Sequence, residues 1–225
     1  SLSEAADVNK SQAVNSTMLL SLSALSAAQT NGTQATVQAL VHFLNYCATH
    51  PDAVLQYRAS DMILHIHSDA AYLNETEARS RVGGHHFLGD RHNPVNQPKN
   101  GSILDIAKIL KHVVSSAAEA ELGALFFNAK MATETRHMLE DFGFPQPATS
   151  IECDNQCAVG IANNDVKLKR SRAMDVRFHW IADRVKQGQF VITWRKGSQN
   201  LADYFTKIHP PTHHRATRSN FVCDK

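Results

Sequence analysis

Three extended stretches, a long helix, then strand, helix, helix, strand and helix: in that order the patterning of this chain runs from about residue 54 to residue 207. Residues 54–57 and 62–68 are apolar or β-branched and are separated by Ala59-Ser60-Asp61, which predicts two extended segments, the second running into Asp69. Residues 81–88 predict a third strand, interrupted at Gly83-Gly84, and the stretch 90–100, with its Pro and Asn, a loop. The stretch 102–114 is extended but ambiguous. Residues 115–141 have helical spacing, opened by Ser115 and closed by Gly143 and Pro145. A short strand over 150–153 leads into Asp154 and a helix to about Asn163. The basic stretch up to Gln187 is helical, 189–194 is a strand, and 199–207 is a closing helix ahead of Pro210-Pro211. This order predicts a mixed α/β sheet with helices on its faces. Ahead of it lie a polar lead-in, 1–16, and two helices: 17–29, and one from about Thr33 that puts Val37, Leu40, Val41, Leu44 and Ala48 on one stripe.

Composition narrows the classes. A chain of 225 residues, 43% hydrophobic and 20% charged, is ordinary for a globular protein. No apolar run approaches the ~20 residues a membrane span needs, so no membrane partner is expected. The start, Ser1-Leu2-Ser3-Glu4, has no Met, basic region or apolar core, which reads as a cut from a longer polypeptide rather than a signal peptide. Cys47, Cys153, Cys157 and Cys223 fit neither a disulfide framework nor a zinc pattern, and a reducing compartment follows. A net charge of +2 decides nothing by itself, but its distribution is uneven. Lys167, Lys169, Arg170, Arg172, Arg177, Arg184 and Lys186 crowd one stretch, opposed only by Asp175 and Asp183.

Four acids sit where such a layout can gather them: Asp69 and Asp154 at strand ends, Glu121 in the long helix and Asp203 in the last one. Phosphodiester hydrolysis needs clustered hard oxygens able to hold two Mg²⁺ ions about 3.5–4 Å apart. Carboxylates meet that demand, whereas imidazoles and thiolates suit softer metals. For any one Asp a cap or solvated turn is the commoner role, so the set carries the inference. Within Ala118-Glu119-Ala120-Glu121-Leu122 only one Glu can face the sheet, because two residues span about 200° of a helix. Placing Ala118, Leu122, Leu125, Ala129, Ala132 and Leu139 toward the core selects Glu121 and turns Glu119 outward.

The segments Ser68-Asp69-Ala70-Ala71-Tyr72, residues 115–122, Cys153-Asp154-Asn155-Gln156 and Leu201-Ala202-Asp203-Tyr204-Phe205-Thr206-Lys207 resemble, in this order, the ribonuclease H domain of Copia-type retrotransposon reverse transcriptases. Arg79-Ser80-Arg81-Val82-Gly83-Gly84 and residues 173–179 share the resemblance, which covers roughly residues 34–211. It implies an RNase H-like α/β fold, a five-stranded mixed sheet with helices on both faces, preceded by a short helical segment. It also implies an endonuclease cutting the RNA strand of an RNA–DNA hybrid, with Asp69, Glu121, Asp154 and Asp203 holding two Mg²⁺ ions for which Mn²⁺ substitutes. Residues 34–57 resemble the end of the thumb and the connection, so the polymerase domain of the parent polyprotein is the expected partner. A cytoplasmic virus-like particle, or the nucleus, is the expected location.

The domains expected are 1–57, a lead-in with the helical remnant; 58–211, the nuclease; and 212–225, a flexible tail. Two departures from the family stand out: the loop 194–200 lacks the His that many ribonucleases H carry before the last Asp, and Arg172-Ala173-Met174-Asp175 replaces the usual Lys-His pair ahead of Ile-Asp. Lys167, Lys169, Arg170, Arg172 and Arg177, with Arg195 and Lys196, are phosphate-contact candidates, against the alternative of a solvated helix face. Asn155 and Gln156 are candidates for the RNA 2′-hydroxyls or, equally, for a cap. Trp180 and Trp194 are candidates for stacking on nucleic acid, but both lie in apolar patterns and read as core packing. His209, His213, His214 and Cys223 match no standard zinc spacing. The rivals are a non-catalytic hybrid-binding or structural module, for which four acids beside phosphate serve no purpose, and a transposase or integrase, whose last acid is a Glu.

Overall fold

In a computed structural model, residues 15–91, 100–163 and 175–224 are described, and they fall into two units, Ala59–Lys207 and a second made of the segments before and after it. The larger unit holds a five-stranded sheet. Its strands are β2 (Ile63–Glu75), β3 (Arg79–Gly89), β4 (Ser102–Ile109), β5 (Thr149–Cys153) and β6 (Phe190–Trp194), in the order β4-β3-β2-β5-β6. The first three form an antiparallel meander, while β5 joins β2 and β6 joins β5 in parallel. Mixed pairing of this kind requires crossovers, which helices supply.

Alternation along β2 assigns the faces. Leu64 and Ile66, both fully buried, point to one side with Ile151 of β5 and Ile192 of β6. Three helices cover that side: α3 (Ala117–Asp141), α4 (Gln156–Ala162) and α5 (Asp175–Lys186), through Leu122, Leu125, Ala129, Ile161, Phe178 and Ile181. Each such Leu, Ile or Phe stabilises the fold by about 1.5–3 kcal/mol through removal from water, and Ala129 by less. The opposite face carries His67, His85, Phe87 and the 3₁₀ turn Leu201–Phe205. Helical cover is therefore unequal, with α-helices on one face and a 3₁₀ turn on the other.

The closing helix expected over 199–207 is two tight 3₁₀ turns, Gly197–Gln199 and Leu201–Phe205. Asn200 caps the second by accepting the Ala202 N–H at 3.1 Å, and its own amide is held by Ser68, so the chain is drawn onto the sheet instead of coiling away. The interruption expected at Gly83-Gly84 is absent: β3 runs straight through both. Asp69 also differs, lying inside a 13-residue strand instead of at its end.

The second unit contains α1 (Leu19–Ala27), α2 (Gln34–Thr49), β1 (Ala53–Val54), α6 (Pro211–Thr217) and β7 (Cys223–Asp224). Thr33 opens α2 with a reciprocal cap to Thr36. The region expected as a loose tail is ordered: β7 pairs antiparallel with β1, Phe221 and Val222 are buried, and Arg218 donates to the Tyr46 hydroxyl at 3.0 Å. A pairing between residues so distant in sequence leaves no local signal. Among the described residues no helix is long and apolar enough to cross a membrane.

Candidate active site

β2 pairs with β5 only from His65 to His67, then continues past the point where β5 ends at Cys153. Asp69 therefore projects beside the turn that begins at Asp154, outside the carboxyl end of a parallel strand, the place where sheets of this kind offer a crevice. Helix α3 brings the third acid. Ser116 caps it by accepting the Glu119 N–H at 3.1 Å, and the Glu119 carboxylate takes the Ser115 N–H and hydroxyl, each at 2.7 Å. That phase makes Glu119 part of the cap and leaves Glu121 95% buried over the sheet, where it accepts the Ala70 N–H at 3.2 Å.

The fourth acid depends on how the turn Leu201–Phe205 is fastened to β2. The Asn200 amide donates to the Ser68 carbonyl at 2.8 Å, the Leu201 N–H to His67 Nδ1 at 3.0 Å, and the Thr206 hydroxyl to Asp69 Oδ2 at 2.5 Å. Such proximity needs a bare backbone beneath. Asp69 lies opposite Gly83 on β3, and a Cβ at Gly83 would stand 2.4 Å from the Ala202 carbonyl oxygen and 2.6 Å from Thr206 Cγ2. The neighbouring Gly84 faces the other side, where Asn128 of α3 fills its space and bonds to Ser68, Gly83 and His86. One glycine seats the 3₁₀ turn, the next seats the helix.

The electrostatics register the crowding. Burial raises the Asp69 carboxyl from 3.8 to about 7, with Asp203 and Asp154 adding to the rise while Thr206 and Lys207 oppose it. Burial, then the charges of Asp69 and Asp154, hold Glu121 well above the usual carboxylate range. Asp154 is raised by burial and by Asp203. Lys207 is ion-paired with Asp203, and its own affinity for a proton is raised because the acids outweigh its desolvation. Neighbouring carboxylates that resist ionisation together are relieved either by keeping a proton or by a bound cation. Carboxylate oxygens are donors that fit a hard divalent ion, and Glu121 and Asp154, with the Cys153 thiol, place ligand atoms within 4.8 Å of one another. The thiol of Cys153, turned toward Glu121 at 3.6 Å, is held protonated chiefly by burial.

The other sequence candidates divide. Asn155 caps α4 through the Ala158 N–H at 3.0 Å, and Gln156 is exposed on that helix's first turn. Arg195 grips Glu152, which also meets His67 at 3.3 Å, while Lys196 is exposed. Arg177 donates to His112 at 2.5 Å. Lys167, Lys169, Arg170 and Arg172 lie outside the described residues. Trp180 packs on Phe126 at 5.3 Å between ring centroids, as expected. Trp194 does not join the core: it is 49% exposed, because β6 reaches past the apolar layer there, and its indole N–H donates to the Asp154 carbonyl at 2.8 Å. Thr206 and Lys207 were visible only as part of a motif, and Asn128, Gly197 and Trp194 carried no signal of their positions.

No family model matches the sequence. Among curated proteins it is similar to the retrovirus-related Pol polyprotein from transposon TNT 1-94 of Nicotiana tabacum, with 27% identity over 173 residues, 77% of this chain and 12% of the relative. The Pol polyproteins from transposons RE2 and RE1 of Arabidopsis thaliana are 26% identical over 172 and 179 residues. The chain spans 11–12% of the length of these relatives. Among solved structures, LC11-RNase H1, isolated from compost, superposes with a TM-score of 0.49 at 14% identity, over 64% of this chain and 93% of that one. The RNase H1 of the halophilic archaeon Halobacterium salinarum gives 0.43 at 16%, over 64% and 94%.

Proposed function

We propose that this homologue of a segment of retrotransposon Pol polyproteins is a metal-dependent ribonuclease H, hydrolysing the RNA strand of RNA–DNA hybrids during reverse transcription. One observation carries the reading: Asp69, Glu121, Asp154 and Asp203 come from four separate elements, and three of them are raised by mutual charge as well as burial. An acid cluster of that kind repels nucleic acid unless cations occupy it, which favours a catalytic site over a passive hybrid-binding module. Mg²⁺ held by these four residues would supply an activated water and stabilise the departing 3′-oxygen, leaving a 5′-phosphate on the other product.

The chain's own residues prepare the site. Thr206 orients Asp69, Lys207 balances part of the acid charge, and Asn200 with His67 fixes the turn bearing Asp203. Gln156 and Lys196 are exposed near Asp154 in sequence or along the following loop, available to a sugar–phosphate backbone. The polymerase domain of the parent polyprotein is the proposed partner, and the cytoplasmic virus-like particle, or the nucleus, the place of action.

The test is cleavage of an end-labelled RNA–DNA hybrid in Mg²⁺, with EDTA, and with Asp154→Asn. Cleavage confined to RNA, abolished by EDTA and by the substitution while hybrid binding persists, is the expected result. Turnover in EDTA, or near-normal turnover by Asp154→Asn, overturns the proposal.

A further inference from the structure

Trp194 shares a strand face with Phe190 and Ile192, each 2% exposed, yet it is itself 49% exposed. Its position is nevertheless fixed. The indole N–H holds the Asp154 carbonyl at 2.8 Å, the next residue's N–H reaches the Cys153 carbonyl at 2.9 Å, and the Arg195 guanidinium is locked on Glu152. Beyond it, the loop closes over Asp154 so tightly that a Cβ at Gly197 would stand 2.7 Å from Asp154 Oδ2. An aromatic ring kept half in water by rigid surroundings, with a polar tip committed and an apolar body free, is suited to a ligand surface. It stands at the rim of the acid cluster.

We infer that Trp194 has two tasks in the reaction proposed above, on which this inference rests: it positions Asp154 through that residue's carbonyl, and it packs its exposed indole face on a sugar ring of the bound strand next to the scissile phosphate. A duplex keeps its bases stacked on one another, so sugars and phosphates are what it offers to a flat side chain at its surface. The two tasks separate by substitution. Trp194→Phe keeps a ring and loses the N–H; Trp194→Leu loses both.

Single-turnover cleavage of the labelled hybrid, run over a range of enzyme concentrations, gives affinity and rate independently. Trp194→Leu is expected to weaken hybrid affinity about fivefold, no more than the low end of what base–aromatic stacking contributes, because a sugar offers the indole no π-face. Trp194→Phe is expected to recover most of that affinity while still lowering the cleavage rate, because Asp154 has lost its anchor. The chain has two tryptophans, so hybrid titration in Ca²⁺, chosen to hold off cleavage, should also quench indole fluorescence in the wild type and lose that quench in Trp194→Phe. Melting curves confirm that both variants fold, as substitution at an exposed end of an edge strand should allow. A wild type that cleaves hybrid while Trp194→Leu binds it equally well overturns the role of Trp194 alone. A wild type that neither binds nor cleaves hybrid overturns the ribonuclease reading and this inference with it.

Discussion

Gly83→Ala tests the packing that creates the site without touching any acid. The added Cβ meets the Ala202 carbonyl oxygen at 2.4 Å and Thr206 Cγ2 at 2.6 Å, where ordinary contact begins near 3.4 Å. The turn Leu201–Phe205 must therefore retreat by about 1 Å, because the nearest atom met belongs to its own backbone and cannot rotate away as a side chain can. Overpacking of this size costs about 1–3 kcal/mol, a fall of roughly 2–12 °C in melting temperature for a unit of this length. The larger effect is on chemistry. Asp203 rides on the turn and the Thr206 hydroxyl holds Asp69, so a displacement of that order should reduce Mg²⁺-dependent cleavage about 100-fold. Hybrid affinity should change little. Adding Thr206→Ser removes the Cγ2 contact but keeps the hydroxyl, and should restore part of both losses. Cleavage by Gly83→Ala within threefold of wild type would refute the role of this glycine in seating the turn that bears Asp203.

Glu121→Gln should reduce cleavage beyond the ~10–100-fold that loss of a residue merely supporting a metal ligand costs, with metal-free stability unchanged or higher because a repelled buried charge is gone. Glu119→Gln should keep activity and most of the stability, because its amide oxygen can still accept the Ser115 N–H, and the reverse pattern would reassign the ligand. In EDTA, the share of stability contributed by Asp69 should fall as pH rises from about 4 to 7: the folded state holds its proton up to about 7 whereas the unfolded chain releases it near 3.8, which amounts to roughly 4 kcal/mol. Glu121 and Asp154 act in the same direction, while His86, which burial holds down to about 4, acts in the opposite one. The measurement is therefore a comparison: between pH 5 and pH 8 in EDTA the urea midpoint of Asp69→Asn should change upward relative to that of the wild type, and an identical pH dependence would contradict it.

The acids were legible because each stands in a local pattern: Asp69 and Asp154 follow apolar stretches, and a helix with apolar residues on one side can turn only one of Glu119 and Glu121 inward. Ser116 capping α3 and Asn155 capping α4 are likewise local events that leave local signals. What escaped depends on where other segments lie. Gly83-Gly84 looks like a strand breaker until Ala202 and Asn128 are known to press on its two sides. Trp194 has the parity of a core residue, and alternation does not reveal that the apolar layer stops one position short of it. Arg195 looked available to phosphate, but Glu152, its neighbour across two parallel strands' ends, claims the guanidinium first. The turn bearing Asp203 passed for a helix because three bonds to β2, all from residues more than 130 positions away, override its propensity.

The ribbon that joins Ala53 to Asp224 and Val54 to Cys223 has a consequence for how the molecule is made. Its halves are separated by the whole of Ala59–Lys207, a stretch continuous in sequence and able to complete its own sheet as soon as it has left the ribosome. Helices α1 and α2 emerge first but must wait for β7, on the order of 10–30 s at ordinary elongation rates, before Arg218 reaches Tyr46 and Phe221 is buried. During that interval their apolar residues are open to chaperones or to wrong partners. A frameshift or stop codon just after Lys207 would leave those helices without the strand and the buried Phe221 that complete their unit.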